Sequence, residues 1–316
     1  MLRKLFCLGL FISLPVIQQL NAEQVTAESK AWYPSVYGAS DRLGAINNID
    51  AKKVLKATRL VKEGKVYSLA IVTSATTPAG LDRTYQVNAH PIMPDPIGEN
   101  LLSGMDDKVT MHMGIGTQID GFGHVGINHK HYNGLPDEEM LKNNKLTVYG
   151  IQDLPPIVTR GVLLNIAALK GVDRLAADTP INRAEIDAAM KRQRVKIKRG
   201  DVVLFHTGWL SLIDEDSEKL MASQPGVGVE GAEYLAELGV VAVGIDNPQF
   251  EQVPFANPNR PYEVHQTLIA KNGIYILEYV KTDEIARDGL NEFLFMLSAP
   301  RLDGTVQAIV NPVAIR

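Results

Sequence analysis

Polar side chains that could do chemistry are concentrated in one glycine-rich segment, which begins at His112 and ends at His124. If the chain up to Asp120 is extended, its even-numbered positions share one face, so His112, Gln118 and Asp120 point the same way. Carboxylate and imidazole groups are suitable ligands for Zn²⁺, Mn²⁺ or Fe²⁺. The segment therefore predicts a metal site, while a glycine-rich turn that only satisfies backbone groups stays open as the alternative.

His124 is separated from Asp120 by a stretch that contains Gly121 and Gly123. Four extended residues span roughly 13 Å, which is too far for two ligands of one ion. Because glycine permits a sharp bend, the chain could bring His124 back over Asp120. An imidazole in that position is a natural general base, since its unperturbed pKa lies near neutrality.

A second pair of candidates lies far downstream, at His265 in a predicted helix and at Glu278 in a predicted apolar strand. A carboxylate in a buried strand needs a partner, because burying an unpaired charge is costly. A metal ion or an arginine would serve. A structural ion pair for Glu278 and a capping or core position for His265 remain open as alternatives.

The elements that must position these residues alternate along the chain. Apolar, β-branched runs predict strands, and stretches with helical spacing or a closing glycine predict helices. This alternation is typical of an α/β protein with a mixed sheet. The predicted strands are 66–72, 109–115, 161–166, 202–206, 240–245, 274–280 and 293–298, and the predicted helices are 182–195, 229–238 and 262–271.

Composition and charge narrow the classes of function. Apolar residues make up 45% of the 316 residues and charged residues 22%, which is the balance of a globular protein. The formal net charge is −4, and phosphate contacts need a basic surface, so we expect no nucleic-acid partner. The sequence also lacks a polybasic membrane anchor. A small molecule is the expected partner.

The first 22 residues are typical of a secretory signal peptide. Arg3 and Lys4 precede a short apolar run, and Ala22 stands at its exit. The single cysteine, Cys7, lies inside this leader, so the mature chain of residues 23–316 would have no disulfide and no cysteine zinc site. We expect a periplasmic or secreted protein.

Five ordered segments carry family motifs. Residues 116–124, GTQIDGFGH, resemble the pattern H-x-G-T-H-x-D-x-P-x-H. Residues 159–165 and 200–209 resemble T-R-G-V-L-L-D and G-D-x-V-L-x-R-T-G-W, with His206 in place of the arginine. His265 with Glu278 resembles an H-x-x-L-L…G-I-x-I-x-E element, and residues 32–47 resemble W-G…D-x-L-G-x-x-N. Together they resemble the cyclase-like metal-dependent hydrolases, which include bacterial kynurenine formamidase and isatin hydrolase.

The resemblance implies an α/β fold of the swivelling β/β/α type, as a single domain with a mixed sheet, and a homo-oligomer such as a dimer or tetramer. It also implies metal-assisted hydrolysis of a small amide. Carried over to this sequence, Asp120 binds metal, His124 is the acid/base, and His265 with Glu278 completes the site. Gly114 and Gln118 stand where the motif has histidines.

Gln118 can still offer a carbonyl oxygen to a metal ion. His112 lies one strand repeat before Gly114 and could supply the missing ligand if the chain bulges. The metal set expected from the sequence is therefore Asp120, Gln118, His265, Glu278 and His112, holding Zn²⁺ or Mn²⁺.

We expect a hydrolase that opens a small amide, imide or lactone, cyclic rather than peptidic, with water activated by the metal ion and with His124 transferring the proton. Two alternatives stay open. One is a lyase or dehydratase that uses His124 without metal, and the other is a periplasmic protein that binds a small molecule without converting it.

Overall fold

The computed structural model describes residues 31–316, so the predicted leader at residues 1–22 lies outside the described residues. The described chain contains a nine-stranded mixed sheet and three two-stranded sheets. None of the helices in this part of the chain is both long enough and apolar enough to cross a membrane.

The described residues form short strands and short helices. The strands are β1 (Val66–Ser68), β2 (Tyr85–Pro91), β3 (Met105–Met111), β4 (Gln118–Asp120), β5 (Leu141–Lys142), β6 (Lys145–Leu146), β7 (Ile157–Asn165), β8 (Pro180–Ile181), β9 (Val202–His206), β10 (Gly226–Val227), β11 (Ala242–Ile245), β12 (Tyr275–Glu278), β13 (Glu292–Leu297), β14 (Gln307–Ile309) and β15 (Val313–Ile315). The helices are α1 (Ala51–Thr58), α2 (Asp137–Met140), α3 (Ile166–Lys170), α4 (Arg183–Gln193), α5 (Leu212–Glu215), α6 (Ser217–Ala222), α7 (Val229–Glu237), α8 (Glu263–His265) and α9 (Asp283–Arg287), and a π-helix, Gln266–Lys271, continues α8.

The large sheet has the strand order β1-β15-β13-β7-β9-β11-β12-β4-β14. Its centre, β7 to β12, is parallel, and the strands on both sides of that centre pair antiparallel. Parallel strands covered on both faces require continuous apolar runs, and β9 and β11 are buried almost throughout. The expected mixed α/β fold is confirmed, and the strand predicted at 202–206 has the observed bounds.

One local prediction is wrong. The strand predicted at 109–115 ends at Met111, and the chain turns before β4 begins at Gln118. Gly116 adopts φ +70°, and a Cβ added there would lie 2.2 Å from the Thr73 hydroxyl oxygen. Because this turn needs a left-handed glycine against a close neighbour, the segment from His112 cannot be one extended strand.

Strands β2 and β3 form a separate hairpin that is exposed along nearly all of its length. Its base is closed by backbone and side-chain bonds between Thr84 and His112. The hairpin therefore brings Arg83, which lies just before β2, close to the residues that follow β3.

The pairing register separates two groups of polar residues onto opposite faces of the sheet. Glu278 pairs with Gln118, which is two residues from Asp120, so these three side chains share a face. Leu277, the neighbour of Glu278 on β12, pairs with Gly244 on β11, and Gly244 pairs with Leu204 on β9. Leu204 is two residues before His206, so Leu277 and His206 share a face. His206 therefore lies on the opposite face, although both groups stand at the carboxyl ends of parallel strands.

Candidate active site

Two buried carboxylates lie side by side on β4 and β12. The Gln118 Nε2 atom donates to Glu278 Oε2 at 2.9 Å and to Asp120 Oδ1 at 3.2 Å. Gln307, which pairs with Asp120 from β14, also donates its Nε2 to Asp120 Oδ1, at 2.6 Å. The two amide side chains therefore hold the carboxylates in place, and each carboxylate keeps one oxygen directed away from these bonds.

His265 is positioned by α8 and faces both carboxylates. Its Nε2 lies 3.3 Å from Glu278 Oε1 and 3.8 Å from Asp120 Oδ2. Its Nδ1 lies 2.6 Å from Glu251 Oε1, which also accepts the His265 backbone N–H at 3.2 Å. The predicted helix at 262–271 begins one residue later than predicted, and its π-helical part starts directly after His265. Such wide turns often occur at functional sites.

Glu251 is a site residue that the sequence analysis missed. It lies in a loop rich in proline, and it is buried. Metal-binding histidines commonly donate their second ring nitrogen to a carboxylate, which fixes the tautomer and the ring orientation. The Glu251–His265 pair has this arrangement, with Nε2 directed at Glu278 and Asp120. The only sequence signal was an acidic residue in an unusually long loop.

The bend predicted between Asp120 and His124 is confirmed. The His124 backbone N–H donates to the Gly121 carbonyl at 3.0 Å, which closes a tight turn. A Cβ added at Gly123 would lie 2.5 Å from a Leu146 methyl carbon, so this turn leaves no room for a side chain there. One potential ligand atom from each of Asp120, His124 and His265 lies within 4.8 Å of the others.

The structure does not bring His112 into this cluster. The side chain is exposed at the base of the β2–β3 hairpin, and its Nδ1 accepts the Thr84 backbone N–H at 2.9 Å. The turn at Gly116 is the reason, because it separates His112 from the strand that carries Gln118. The space beside Gly114 is occupied by Arg83, whose Nη1 donates to the Gly114 carbonyl.

Burial and charge shift the pKa values of the clustered groups in opposite directions. Burial lowers the pKa of His265, but its bonds to Glu251 and Glu278 outweigh burial and raise that pKa to about 10. Burial and the nearby Asp120 charge raise the pKa of Glu278 to about 7. Burial also lowers the pKa of His124. Closely packed carboxylates of this kind are stabilised by a cation.

Two oxygens of the cluster show which cation would fit. Within residues 31–316, Gln118 Oε1 and Asp120 Oδ2 are buried without a hydrogen-bond partner. A buried oxygen without a partner is costly, and native proteins rarely leave one without a reason. Oxygen donors beside an imidazole nitrogen suit a divalent cation such as Mn²⁺ or Zn²⁺. The residues present therefore fit a bound metal ion.

A different histidine–carboxylate group lies on the opposite face of the sheet. His206 Nδ1 is 3.2 Å from Asp246 Oδ2 and 2.8 Å from the Thr282 hydroxyl. Asp246 also accepts the backbone N–H groups of Thr207 and Gly208 and the Thr207 hydroxyl. A cavity of about 1160 Å³ is lined by His206, Asp246 and Thr282, among others. All oxygens of this group are bonded, which distinguishes it from the Asp120 cluster.

Comparison with known proteins identifies the family. A family model described as "Putative cyclase" matches residues 36–252, more than half of the chain. The chain belongs to the cyclase family. A solved structure described as a novel cyclase is similar to this cyclase, with 28% identity, a TM-score of 0.80, and coverage of 89% of this chain and 98% of that chain. The resemblance found in the sequence motifs is thereby confirmed.

More distant structures share the fold of this cyclase. Isatin hydrolase A from Labrenzia aggregata, bound to benzyl benzoate, is 15% identical with a TM-score of 0.59, over 79% of this chain and 93% of that chain. A potential metal-dependent hydrolase with cyclase activity is 18% identical with a TM-score of 0.52, over 79% of this chain and 98% of that chain. No curated protein sequence matches the cyclase significantly.

Proposed function

We propose that this cyclase is a metal-dependent hydrolase that opens small cyclic amides, imides or lactones. The observation that carries the proposal is Asp120 Oδ2, a buried oxygen without a hydrogen-bond partner that lies 3.8 Å from His265 Nε2. Gln118 Oε1, on the same strand, is a second buried oxygen without a partner. The names of the distant relatives, isatin hydrolase and metal-dependent hydrolase, agree with this chemistry. Their substrate class extends here only as part of the proposal.

The residues that would hold the ion are Asp120, Gln118, His265 and Glu278. Most of these donors are oxygens, a set that favours Mn²⁺ over softer, nitrogen- or sulfur-preferring ions. A divalent cation in this position supplies Lewis-acid polarisation of a carbonyl and activation of water at neutral pH. Glu251 would hold the His265 ring in the orientation that directs Nε2 at Glu278 and Asp120.

His124 is the residue proposed to move the proton. Burial lowers its pKa, so the imidazole is neutral at neutral pH and can accept a proton from the attacking water. The water oxygen adds to the carbonyl carbon, the bond from that carbon to the ring nitrogen or oxygen breaks, and His124 returns the proton to the leaving atom. Water and substrate together account for every atom of the ring-opened product.

Metal content tests the proposal directly. We expect a near-stoichiometric divalent ion, detected by mass spectrometry, in protein purified without chelator, and we expect Asp120→Asn to lose it. His112→Ala is the matched control, because His112 is exposed and outside the cluster; it should keep the ion. A protein that stays metal-free after reconstitution with Mn²⁺ and Zn²⁺ would overturn the mechanism, and would favour the metal-independent lyase or the binding protein.

A further inference from the structure

Arg83 occupies the place where the family motif has its first histidine. It lies just before the β2–β3 hairpin, and its Nη1 donates to the Gly114 carbonyl at 2.5 Å. A Cβ added to Gly114 would lie 2.7 Å from the Arg83 Cζ atom and 2.9 Å from Gln307 Oε1. A histidine at position 114 and this guanidinium therefore exclude each other.

The charge of Arg83 has no carboxylate partner. Within residues 31–316, no aspartate or glutamate oxygen lies within 4.0 Å of its guanidinium, although the side chain is half-buried. Arg160, another sheltered arginine, is paired with both Asp201 and Glu292. A guanidinium withdrawn from water normally forms such pairs, because its planar donors match a carboxylate. The Arg83 guanidinium is therefore available to pair with a bound anion.

The Arg83 guanidinium lies at the edge of the cluster formed by Asp120 and Glu278. Its neighbour Gln307 donates to Asp120 Oδ1 at 2.6 Å, so a single side chain separates Arg83 from the metal-binding carboxylate. An anion paired with Arg83 would thus lie next to the residues proposed to carry out hydrolysis.

Aromatic rings are present on the same site. The Tyr262 ring centroid lies 5.5 Å from that of His265, and Phe255 lies 4.9 Å from Tyr262. Tyr262 adopts φ +55°, in the left-handed region that a bulky residue enters only under constraint. Strained residues of this kind cluster at binding sites, and the exposed face of Tyr262 offers a stacking surface.

We propose that Arg83 is a substrate-binding residue, and that the site takes small aromatic molecules carrying a carboxylate, which pairs with the guanidinium. The proposal rests on the proposed function, since it names the substrate class of that same site. In this chain, a glycine stands where the motif has a histidine, and the Arg83 guanidinium fills the space beside it. Gly114 is required because it leaves room for that charge.

A purely structural role for Arg83 makes a different prediction. If the guanidinium only closes the base of the hairpin through the Gly114 carbonyl, then any donor of similar length would replace it. Arg83→Gln keeps an N–H donor on a shorter side chain and removes the charge, whereas Arg83→Lys keeps the charge and most of the length but loses the planar pair of donors. The two variants therefore separate anion binding from hairpin closure.

Calorimetric titration of benzoate and benzamide, which differ only in the charged group, tests the proposal on the protein as purified. We expect Arg83→Gln to weaken benzoate binding by about tenfold or more and Arg83→Lys to weaken it less, as for a lost charge-assisted pair. Benzamide binding should be equal in all three proteins. Arg260→Gln is the matched control, because Arg260 is exposed, lies in the loop before α8 and is already paired with Glu263; this variant should bind benzoate as the wild type does.

Two results would overturn the proposal: benzoate that binds the wild type and Arg83→Gln equally, or benzoate that does not bind the wild type at all. Thermal unfolding of each variant checks that the fold is intact. Failure of the proposed function is seen elsewhere, in metal content and in the Asp120→Asn variant. The benzoate titration requires no turnover, so the two failures are distinguishable.

Discussion

Two histidine–carboxylate groups stand at the carboxyl ends of parallel strands, on opposite faces of one sheet. On one face, His265 lies between Glu251, Glu278 and Asp120. On the other face, His206 lies against Asp246, beside a cavity of about 1160 Å³. Carboxyl ends of strands are where α/β proteins commonly bind ligands, so topology alone favours both groups.

The two groups differ in whether their buried oxygens have hydrogen-bond partners. Asp246 receives two backbone N–H groups, a hydroxyl and the His206 ring, which satisfies both of its oxygens. Asp120 keeps a buried oxygen without a partner, and so does Gln118. Saturated polar groups stabilise a fold, and groups with unused donors or acceptors are prepared for a ligand.

The largest expected contrast between the two faces is in turnover. His124→Ala should lower kcat by about 10²- to 10⁴-fold, the range usual for a lost acid/base, while the metal ion stays bound. The measurement is initial rate on the best substrate among isatin, phthalimide and phthalide, together with metal content. His206→Ala on the opposite face should leave both unchanged. Loss of the ion in His124→Ala would instead make His124 a ligand.

The next contrast concerns metal affinity. Glu251→Gln should weaken metal binding by about 10- to 100-fold, because the His265 ring loses the carboxylate that orients it. Competition with a chromogenic chelator measures the affinity. Glu263→Gln provides the control on the adjacent helix α8, and its affinity should match the wild type. Equal affinity in Glu251→Gln and the wild type would contradict the orienting role.

Stability should change in opposite directions in the two groups. Asp246→Asn should lower the free energy of unfolding by about 1–3 kcal/mol, because its buried N–H partners lose acceptors. Asp120→Asn, measured by urea unfolding in the presence of chelator, should be neutral or stabilising, since it removes one of two adjacent buried carboxylates. A larger loss in Asp120→Asn than in Asp246→Asn would reverse the comparison.

The smallest expected effect is a pH dependence at His206. Burial lowers the pKa of His206, but the bond to Asp246 outweighs burial and raises this pKa above its ordinary value. A group whose pKa is higher in the folded than in the unfolded protein stabilises the fold fully at pH values below its unfolded pKa. That stabilisation is lost as the pH rises through the folded pKa. The stability difference between wild type and His206→Gln should therefore be larger at pH 6 than at pH 9 in urea unfolding. A difference that grows with pH would contradict the charged pair.

The sequence predicted those parts of the site that depend on local pattern. The glycines at 121 and 123 indicated the bend that returns His124 to Asp120, and the apolar run around Glu278 indicated a buried strand. Alternation within β4 placed Gln118 and Asp120 on one face, as observed. These features follow from backbone freedom and side-chain period, which a sequence displays directly.

The parts that were missed depend on contacts between distant segments. Glu251 reaches His265 from a loop without periodicity, and Arg83 reaches Gly114 across the base of a hairpin. The placement of His112 was misjudged because a left-handed turn at Gly116 looks, in sequence, like part of a strand. No local pattern reports a long-range contact or the sign of φ at a glycine.

The π-helix after His265 makes the site sensitive to chain length. A π-turn holds one residue more than the α-helical turn it replaces, and each residue of an α-helix rotates the chain by about 100°. Deleting a single residue between Gln266 and Lys271 would let the helix relax to ordinary winding. The imidazole would then swing away from Asp120 and Glu278 without any change in the residues themselves. The direction of the His265 side chain thus depends on the number of residues in the helix that follows it.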